Sequence, residues 1–220
     1  MTPPVDPNQV LMTGENSFIR LSSDGGKTMT DRLSHWRVLW CPDGAGHALF
    51  VHSTLLDGQV RIYSDNPPVA RWLQKTIETL LYPAFADEKL PIAAAKFTRA
   101  GDARSTASEE VVAGNDRIRL TWRDFVEPFV LTMPPGFMNR PIGVFSTFFP
   151  ARAAQVEMNG RAAKSQLAEV SPVRIRLPVV DAHSISFQPR FPAYSINSKW
   201  FEALRAPAAY NHWLGLWNRF

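Results

Sequence analysis

The sequence has few of the residues that carry metal or disulfide chemistry. Cys41 is its one cysteine, so no disulfide can form within the chain and no C-x-x-C pair exists. No H-x-x-x-H pair occurs that would place two histidines on one helix face. His47 and His52 are five residues apart on one predicted strand, so they point to opposite faces and cannot bind the same ion. We therefore predict no metal site.

The motifs of nucleotide binding and of serine hydrolases are also missing. The chain contains no G-x-G-x-x-G, no G-x-x-x-x-G-K-[ST] and no G-x-S-x-G. These motifs supply the glycine-rich turn that cradles phosphates, or the strained turn that exposes a nucleophilic serine. The sequence therefore predicts an activity that needs no cofactor.

Long apolar runs and blocks of like charge are absent as well. No run of about 18 apolar residues is present, so we expect no membrane-spanning segment. The first seven residues lack the charged and apolar regions of a secretory signal, and we expect a cytoplasmic protein. The net charge is +4, but no block of five lysines or arginines occurs, and nucleic acid is not an expected partner.

Aromatic residues are abundant, with seven Trp, 14 Phe and four Tyr among 220 residues. Such side chains bury large areas in a core and also line the walls of small-molecule pockets. Both uses are expected, which makes a small hydrophobic or aromatic molecule the expected partner.

Most of the chain has the pattern of short antiparallel strands. Trp36, Val38 and Trp40 alternate with polar residues, and a second clean alternation runs over residues 117–124. Asp57-Gly58 and Asn159-Gly160 are dipeptides typical of two-residue hairpin turns, whose central residues need positive φ. Each dipeptide therefore predicts a tight antiparallel hairpin.

One amphipathic helix is predicted near residues 67–82. Apolar residues recur there at intervals of three and four, and two prolines stand in the first turn, where amide hydrogens need no partner. A regular helix would bury Trp72, Ile77 and Leu80. It would expose Lys75 and Glu78.

The whole pattern predicts one domain over residues 1–220, built on a curved antiparallel sheet that forms a barrel or a sandwich. It is similar to lipocalin-like barrels in general pattern, with the helix plugging one opening. Residues 1–17 are predicted to be an extended arm and 198–220 a segment of short helices. The aromatic stripe of that segment either packs on its own sheet or forms a homodimer contact; it consists of Tyr210, Trp213 and Trp217.

Asp124 is the first candidate catalytic residue. Strand alternation puts it on the side of Leu120 and Trp122, where a carboxylate must be paired, hydrogen-bonded or protonated. Desolvation would raise its pKa towards a value useful for a general acid or base. In the alternative, the strand ends near Trp122 and Asp124 begins a solvated turn.

His52 and Tyr63 complete the predicted catalytic set. Histidine carries protons near neutral pH, and a tyrosine hydroxyl can donate a hydrogen bond to a developing oxyanion. In the alternative, His52 is a structural strand residue. The predicted substrate-binding residues are Trp36, Trp40, Trp122, Arg123 and Glu127.

These features favour a cofactor-independent enzyme that uses general acid–base catalysis of the lyase, hydratase or isomerase type. Its substrate would be a hydrophobic small molecule, aromatic or anionic in character, held in an aromatic-lined pocket. A lipocalin-like binding protein without catalysis is the alternative. Nucleic-acid binding is a third and less favoured interpretation, because the tryptophans lie on apolar stripes rather than among exposed basic residues.

Overall fold

The computed structural model describes residues 10–24, 28–102, 105–125, 127–133, 144–164, 166–167, 195–198 and 204–205. The first strands are β1 (Val10–Ser22), β2 (Met29–Cys41), β3 (Gly44–His52), β4 (Val60–Ser64) and β5 (Ile92–Ala94). The later strands are β6 (Lys96–Gly101), β7 (Thr106–Ala113), β8 (Asp116–Phe125), β9 (Phe129–Met133), β10 (Val144–Met158), β11 (Arg161–Ala162), β12 (Gln166–Leu167), β13 (Ser195–Ser198) and β14 (Leu204–Arg205). The helical elements are α1 (Pro67–Leu73), a π-helical segment (Gln74–Glu78), α2 (Thr79–Leu81) and 3₁₀ turns at Thr54–Leu56 and Pro83–Phe85.

The prediction of a mostly β, mainly antiparallel fold is confirmed. Backbone pairing links the strands in the order β5-β4-β3-β2-β1-β13-β10-β8-β7-β6, and the β4–β5 pair is parallel. The end strands β5 and β6 follow each other in the chain with only Ala95 between them, and no pairing joins them in the described residues. The expectation of a closed barrel is therefore corrected, because the described strands leave their order open between β5 and β6.

Two apolar layers hold the strands together. One face of β1–β4 packs against β7, β8 and β10 around the fully buried Trp122, whose indole Nε1–H donates to the Phe18 carbonyl at 3.2 Å. The opposite face of β2–β4 packs against the helix. Alternate residues of β3 serve the two layers, with Leu49 in the first and Phe50 in the second. The helix therefore covers the outer face of the sheet and does not plug a barrel opening.

The turn predictions are confirmed at one dipeptide and corrected at the other. Asn159 and Gly160 have φ of 51° and 76° and join β10 to β11 by a two-residue turn, with Met158 paired to Arg161. Asp57-Gly58 lies instead in a longer connection, since β3 ends at His52 and β4 begins at Val60. The chain forms the 3₁₀ turn first, and Asp57 then ends it at φ 53°.

The helix occupies the predicted region but changes its buried face partway along. Ile77 is buried and Lys75 exposed, as expected, whereas Glu78 is fully buried and Leu80 is 52% exposed. Trp72 is half-buried. A π-helical turn contains an extra residue, so every residue after it is rotated around the helix axis relative to a regular α-helix. The π-helical segment thus turns Glu78 towards the sheet and Leu80 towards solvent.

Glu78 is the centre of a polar cluster between helix and sheet. Its Oε1 accepts hydrogen bonds from the Ser34 hydroxyl and the Trp36 indole, each at 2.6 Å, and its Oε2 lies 2.8 Å from Arg32 Nη2. The Arg32 guanidinium also lies 5.1 Å from the centre of the Tyr82 ring. Hydrogen bonds and an opposite charge are what a buried carboxylate requires. The cluster is enclosed, and we interpret it as a structural connection.

The predicted terminal segments differ from the structure where it describes them. Residues 10–17, predicted as an arm, form the first part of β1, which pairs with β2 from Thr13 to Ser22. Residues 198–205 were expected to be helical, but Ser198 ends β13, and Leu204–Arg205 pairs with β1. Backbone pairing with β1 thus replaces the short helix pattern at these positions. Residues 1–9 and the stripe of Tyr210, Trp213 and Trp217 lie outside the described residues.

Within the part of the chain that the structure describes, every helix is too short or too polar to cross a membrane.

Candidate functional site

His47 and Asp65 form a tightly bound pair at the end of two neighbouring strands. His47 lies near the start of β3 and Asp65 directly follows β4; the adjacent residues Ala48 and Ser64 are paired in the ladder. One carboxylate oxygen of Asp65 accepts from the His47 backbone N–H at 2.6 Å, and the other lies 2.7 Å from the ring Nδ1. Both side chains are partly exposed.

The contact with Asp65 determines what the His47 ring can do. A carboxylate accepts hydrogen bonds but cannot donate them, so Nδ1 carries the proton in the neutral ring. The lone pair is then on Nε2, which has no hydrogen-bond partner among the described residues. A histidine oriented in this way by a carboxylate can accept or donate a proton at Nε2.

The turn that carries Asp65 is tied to β3 by further hydrogen bonds. The Ser64 hydroxyl donates to the His47 carbonyl at 2.5 Å and accepts from the Asn66 backbone N–H at 3.0 Å. The Asn66 side-chain amide donates to the Ala45 carbonyl at 2.8 Å. These contacts fix the carboxylate relative to the imidazole, which is the precision that a proton-transfer site needs.

Gly46 leaves the space in which the Asp65 turn sits. A Cβ at this position would lie 2.7 Å from Asn66 Cβ and 2.9 Å from Asp65 Oδ1, which is too close for either atom. We expect Gly46→Ala to displace Asp65 from His47 and to lower the free energy of unfolding by roughly 1–3 kcal/mol. Urea unfolding measures the loss.

Gly58→Ala is the control for Gly46→Ala. Both glycines have positive φ, but a Cβ at Gly58 meets no atom within 4 Å. The crowding effect should therefore appear only at Gly46. Equal losses in the two variants would show that the backbone, and not the Asp65 turn, limits the substitution.

The His47 ring also belongs to a cluster of three nearly parallel rings. The ring centres of His35, His47 and Phe97 are 5.1–5.7 Å apart, and their planes lie within 19° of one another. They come from β2, β3 and β6, so the rings join the end strand β6 to two strands in the other half of the pairing order. The cluster therefore gives His47 one aromatic wall.

His35 is the buried member of this cluster. Neither ring nitrogen makes a hydrogen bond to any residue that the structure describes, and Nδ1 lies 3.7 Å from Glu109 Oε2. Burial lowers the pKa of His35 well below its ordinary value, and the charges of His47, Arg99 and Arg37 lower it further. His35 is thus a neutral neighbour of the half-exposed His47 at physiological pH.

The lowered pKa of His35 predicts a pH-dependent stability. The unfolded chain binds a proton at this residue below about pH 6.5, whereas the folded protein binds it only at lower pH. The free energy of unfolding should therefore fall as the pH drops below about 6.5, by up to roughly 1.4 kcal/mol per pH unit from this residue. His35→Phe keeps a ring in the stack and should remove this contribution. Identical pH dependence in both proteins, measured by urea unfolding, would contradict the assignment.

Charged residues surround the rings at this end of the strands. Arg99 binds two carboxylates, with Nη1 on Glu15 and Nε 2.6 Å from Glu109 Oε1. Arg37 is directly opposite His47 in the β2–β3 ladder, and its ion pair with Glu15 is a distant contact of 3.9 Å. Proton transfer at His47 would thus take place beside fixed charges of both signs.

Asp124 is not on the apolar face where the sequence placed it. It is exposed and has a φ of 56°, which breaks the strand alternation after Trp122. The side chain therefore leaves the face that carries the fully buried Trp122. The prediction that Asp124 lies beside Trp122 in an apolar environment is wrong. Asp124 is solvated, as in the alternative, but the strand does not end near Trp122, because β8 continues to Phe125.

His52 and Tyr63 lie on opposite faces of the strands. His52 faces the helix, where its Nδ1 lies 3.0 Å from the Tyr82 hydroxyl. The Tyr63 hydroxyl donates to Asp116 Oδ2 at 2.8 Å, and burial raises the pKa of Tyr63 above its ordinary value. His52 and Tyr63 therefore do not face one shared site.

The predicted substrate-binding residues are also dispersed. Trp36 is buried against the helix and Trp122 in the other layer, whereas Trp40 is 47% exposed. Arg123 and Glu127 are exposed. Two surface grooves that the structure describes, of about 230 and 250 Å³, are lined mainly by polar side chains and contain no tryptophan. The aromatic-lined pocket remains a prediction.

Comparison with known proteins gives no family. No family model matches the chain, and no curated protein and no solved structure is significantly similar to it. Among the described residues, no group of three or more histidine, cysteine, aspartate or glutamate side chains could hold a metal ion. The functional argument therefore depends on the His47 site itself.

Proposed function

We propose that this protein is a small-molecule enzyme that works by general acid–base catalysis, with His47 as the group that exchanges a proton with the substrate. The observation that supports the proposal is the 2.7 Å contact between Asp65 and His47 Nδ1. It directs the basic nitrogen, Nε2, away from the carboxylate at a partly exposed position. The catalytic class is the one that the sequence favours, but the residues are different.

The proposed step moves one proton from the substrate to His47 and back. Nε2 removes a proton from a substrate C–H or O–H bond, and the imidazolium that forms is stabilised by the Asp65 carboxylate. The same proton then returns from Nε2 to another substrate atom, or protonates a leaving group. An isomerisation needs only these transfers. A lyase also breaks the substrate's bond to its leaving group, and in a hydratase that group is water, which enters from or leaves to the solvent. None of these reactions needs an electron carrier.

The surroundings of His47 favour a flat substrate. Phe97 and His35 stand parallel to the His47 ring at centre distances of 5.1 and 5.7 Å, and Phe97 is only half-buried. Aromatic surfaces of this kind bind planar, apolar groups by stacking. A small aromatic or conjugated molecule fits this wall.

Solvent deuterium exchange tests the proposal without knowledge of the product. An enzyme that removes a carbon-bound proton exchanges it with deuterium in D₂O, which proton NMR detects for each compound of a panel of oxo, hydroxy and unsaturated acids. We expect the protein to catalyse exchange in at least one compound and His47→Gln to remove it. If His47→Gln exchanges every compound as fast as the unaltered protein does, His47 is not the acid–base group.

A binding protein without catalysis is the alternative outcome. It predicts that a panel compound binds in the same concentration range to the unaltered protein and to His47→Gln, with no exchange in either. The same NMR samples report both binding and exchange.

A further inference from the structure

The residue directly opposite His47 on the neighbouring strand is Arg37. Arg37 and His47 form a directly paired position of the antiparallel β2–β3 ladder. Residues paired in this way project from the same face, with Cβ atoms about 5 Å apart. The side chains of Arg37 and His47 therefore leave the same face of the sheet at neighbouring positions.

Arg37 has unused hydrogen-bonding capacity. Its side chain is 45% exposed, and its contact with Glu15 is 3.9 Å long, which is too long for a hydrogen bond. Glu15 is bound more closely by Arg99, which also binds Glu109. The guanidinium of Arg37 thus makes no hydrogen bond to the described residues, and the side chain is accessible to solvent.

One class of ligand fits the positions of Arg37, His47 and the neighbouring Phe97 ring. We propose that the His47 site binds a small planar carboxylate, whose carboxylate group is held by Arg37 and whose flat apolar part lies against Phe97. A guanidinium matches a carboxylate with two parallel N–H···O bonds. This inference rests on the proposed function for its location, and makes Arg37 the residue that determines specificity.

Arg37 would also contribute to the chemistry by orientation. When two hydrogen bonds fix a carboxylate group, the rest of the ligand can only rotate about the single bond to that group. The atom next to the carboxylate is thereby held near the residue opposite Arg37, which is His47. Fixing the reacting group in this way lowers the entropic part of the barrier.

The test uses benzoate as probe and benzamide as its neutral counterpart of the same shape. Benzoate binding, measured by calorimetry and by NMR shifts of His47 and Phe97, should weaken by roughly 10- to 100-fold in Arg37→Gln. Arg37→Lys keeps the charge but loses the planar fork, so it should fall between the two. Benzamide binding should be the same in all three proteins.

Arg117→Gln is the control for the loss of one positive charge. Arg117 is an arginine on β8 whose side chain is 69% exposed and pairs with Glu110 at 3.5 Å. Its replacement should leave benzoate binding unchanged. Equal benzoate affinity in Arg37→Gln and the unaltered protein, or no shift of His47 and Phe97 at millimolar benzoate, would overturn the inference.

The outcomes also separate this inference from the proposed function. Arg37-dependent benzoate binding without His47-dependent deuterium exchange supports a carboxylate site and contradicts the proposed catalysis. The opposite result is His47-dependent exchange that is equal for acids and their amides and is unaffected by Arg37→Gln. It supports the proposed catalysis and contradicts the carboxylate specificity.

Discussion

His47→Gln is expected to lower the turnover of an exchanging substrate by roughly 10²- to 10⁴-fold, the usual contribution of a general acid or base. Glutamine retains a polar side chain that reaches towards Asp65, but it has no nitrogen that takes up a proton near neutral pH. The backbone hydrogen bond from residue 47 to Asp65 Oδ1, 2.6 Å long, does not depend on the side chain. The fold should therefore survive, as circular dichroism and urea unfolding can establish.

His52→Gln is the matched control for this substitution. His52 lies on the same strand, is half-buried, and binds the Tyr82 hydroxyl on the face that packs against the helix. It should keep nearly full turnover. A large loss in His52→Gln together with normal turnover in His47→Gln would return the assignment to His52, which belongs to the catalytic set predicted from the sequence.

Glu78→Ala is expected to lower the free energy of unfolding by about 3–5 kcal/mol, the usual cost of removing one partner of a buried ion pair. The substitution leaves the Arg32 guanidinium without its counter-ion. Because Arg32 is only 2% exposed, water cannot replace the lost carboxylate. It also removes the acceptor of the Ser34 hydroxyl and the Trp36 indole. Chemical denaturation of both proteins measures the difference.

Two further variants keep this prediction informative. Glu78→Gln retains an acceptor oxygen for Ser34 and Trp36 and loses only the charge, so it should be less destabilised than Glu78→Ala. Glu88→Ala removes an exposed acid that pairs with Lys75 at 2.8 Å, and should cost at most about 1 kcal/mol. Equal stability of Glu78→Ala and Glu88→Ala would show that the enclosed cluster does not hold the helix to the sheet.

The helix could be predicted from the sequence, but its buried face could not. The three- and four-residue spacing around Val69 and Leu73 is that of a regular α-helix, and both residues are buried. The π-helical segment then rotates the remaining residues, and Glu78 takes the inward position. The contact that favours this position is with Arg32, 46 positions earlier in the chain, and local periodicity contains no signal for it.

The candidate site was missed because the length of one turn sets the register of two strands. A two-residue turn at Asp57-Gly58 would place Ala48 opposite Pro67, whereas the observed partner of Ala48 is Ser64. This difference of three residues brings Asp65 level with His47. The next residue, Asn66, is the N-cap residue of α1, but its side chain makes no capping bond and donates to the Ala45 carbonyl instead.

Strand alternation was accurate where the backbone is regular and failed where it is not. It placed Leu120 and Trp122 on one buried face, and both are fully buried. It failed two residues later because Asp124 adopts a positive φ, which is uncommon for residues other than glycine. Asparagine and aspartate tolerate that conformation better than most residues, but the sequence does not show which of them will adopt it.

The tautomer of the neutral His47 ring tests the central claim most directly. Two-bond ¹H–¹⁵N NMR spectra of the protein, recorded at a pH where the ring is neutral, distinguish a protonated ring nitrogen from one with a lone pair. Because Asp65 Oδ2 lies 2.7 Å from Nδ1, we predict a protonated Nδ1 and an unprotonated Nε2, and loss of this preference in Asp65→Asn. A proton on Nε2 in the unaltered protein would contradict the account, because the basic nitrogen would then face the carboxylate and not the substrate.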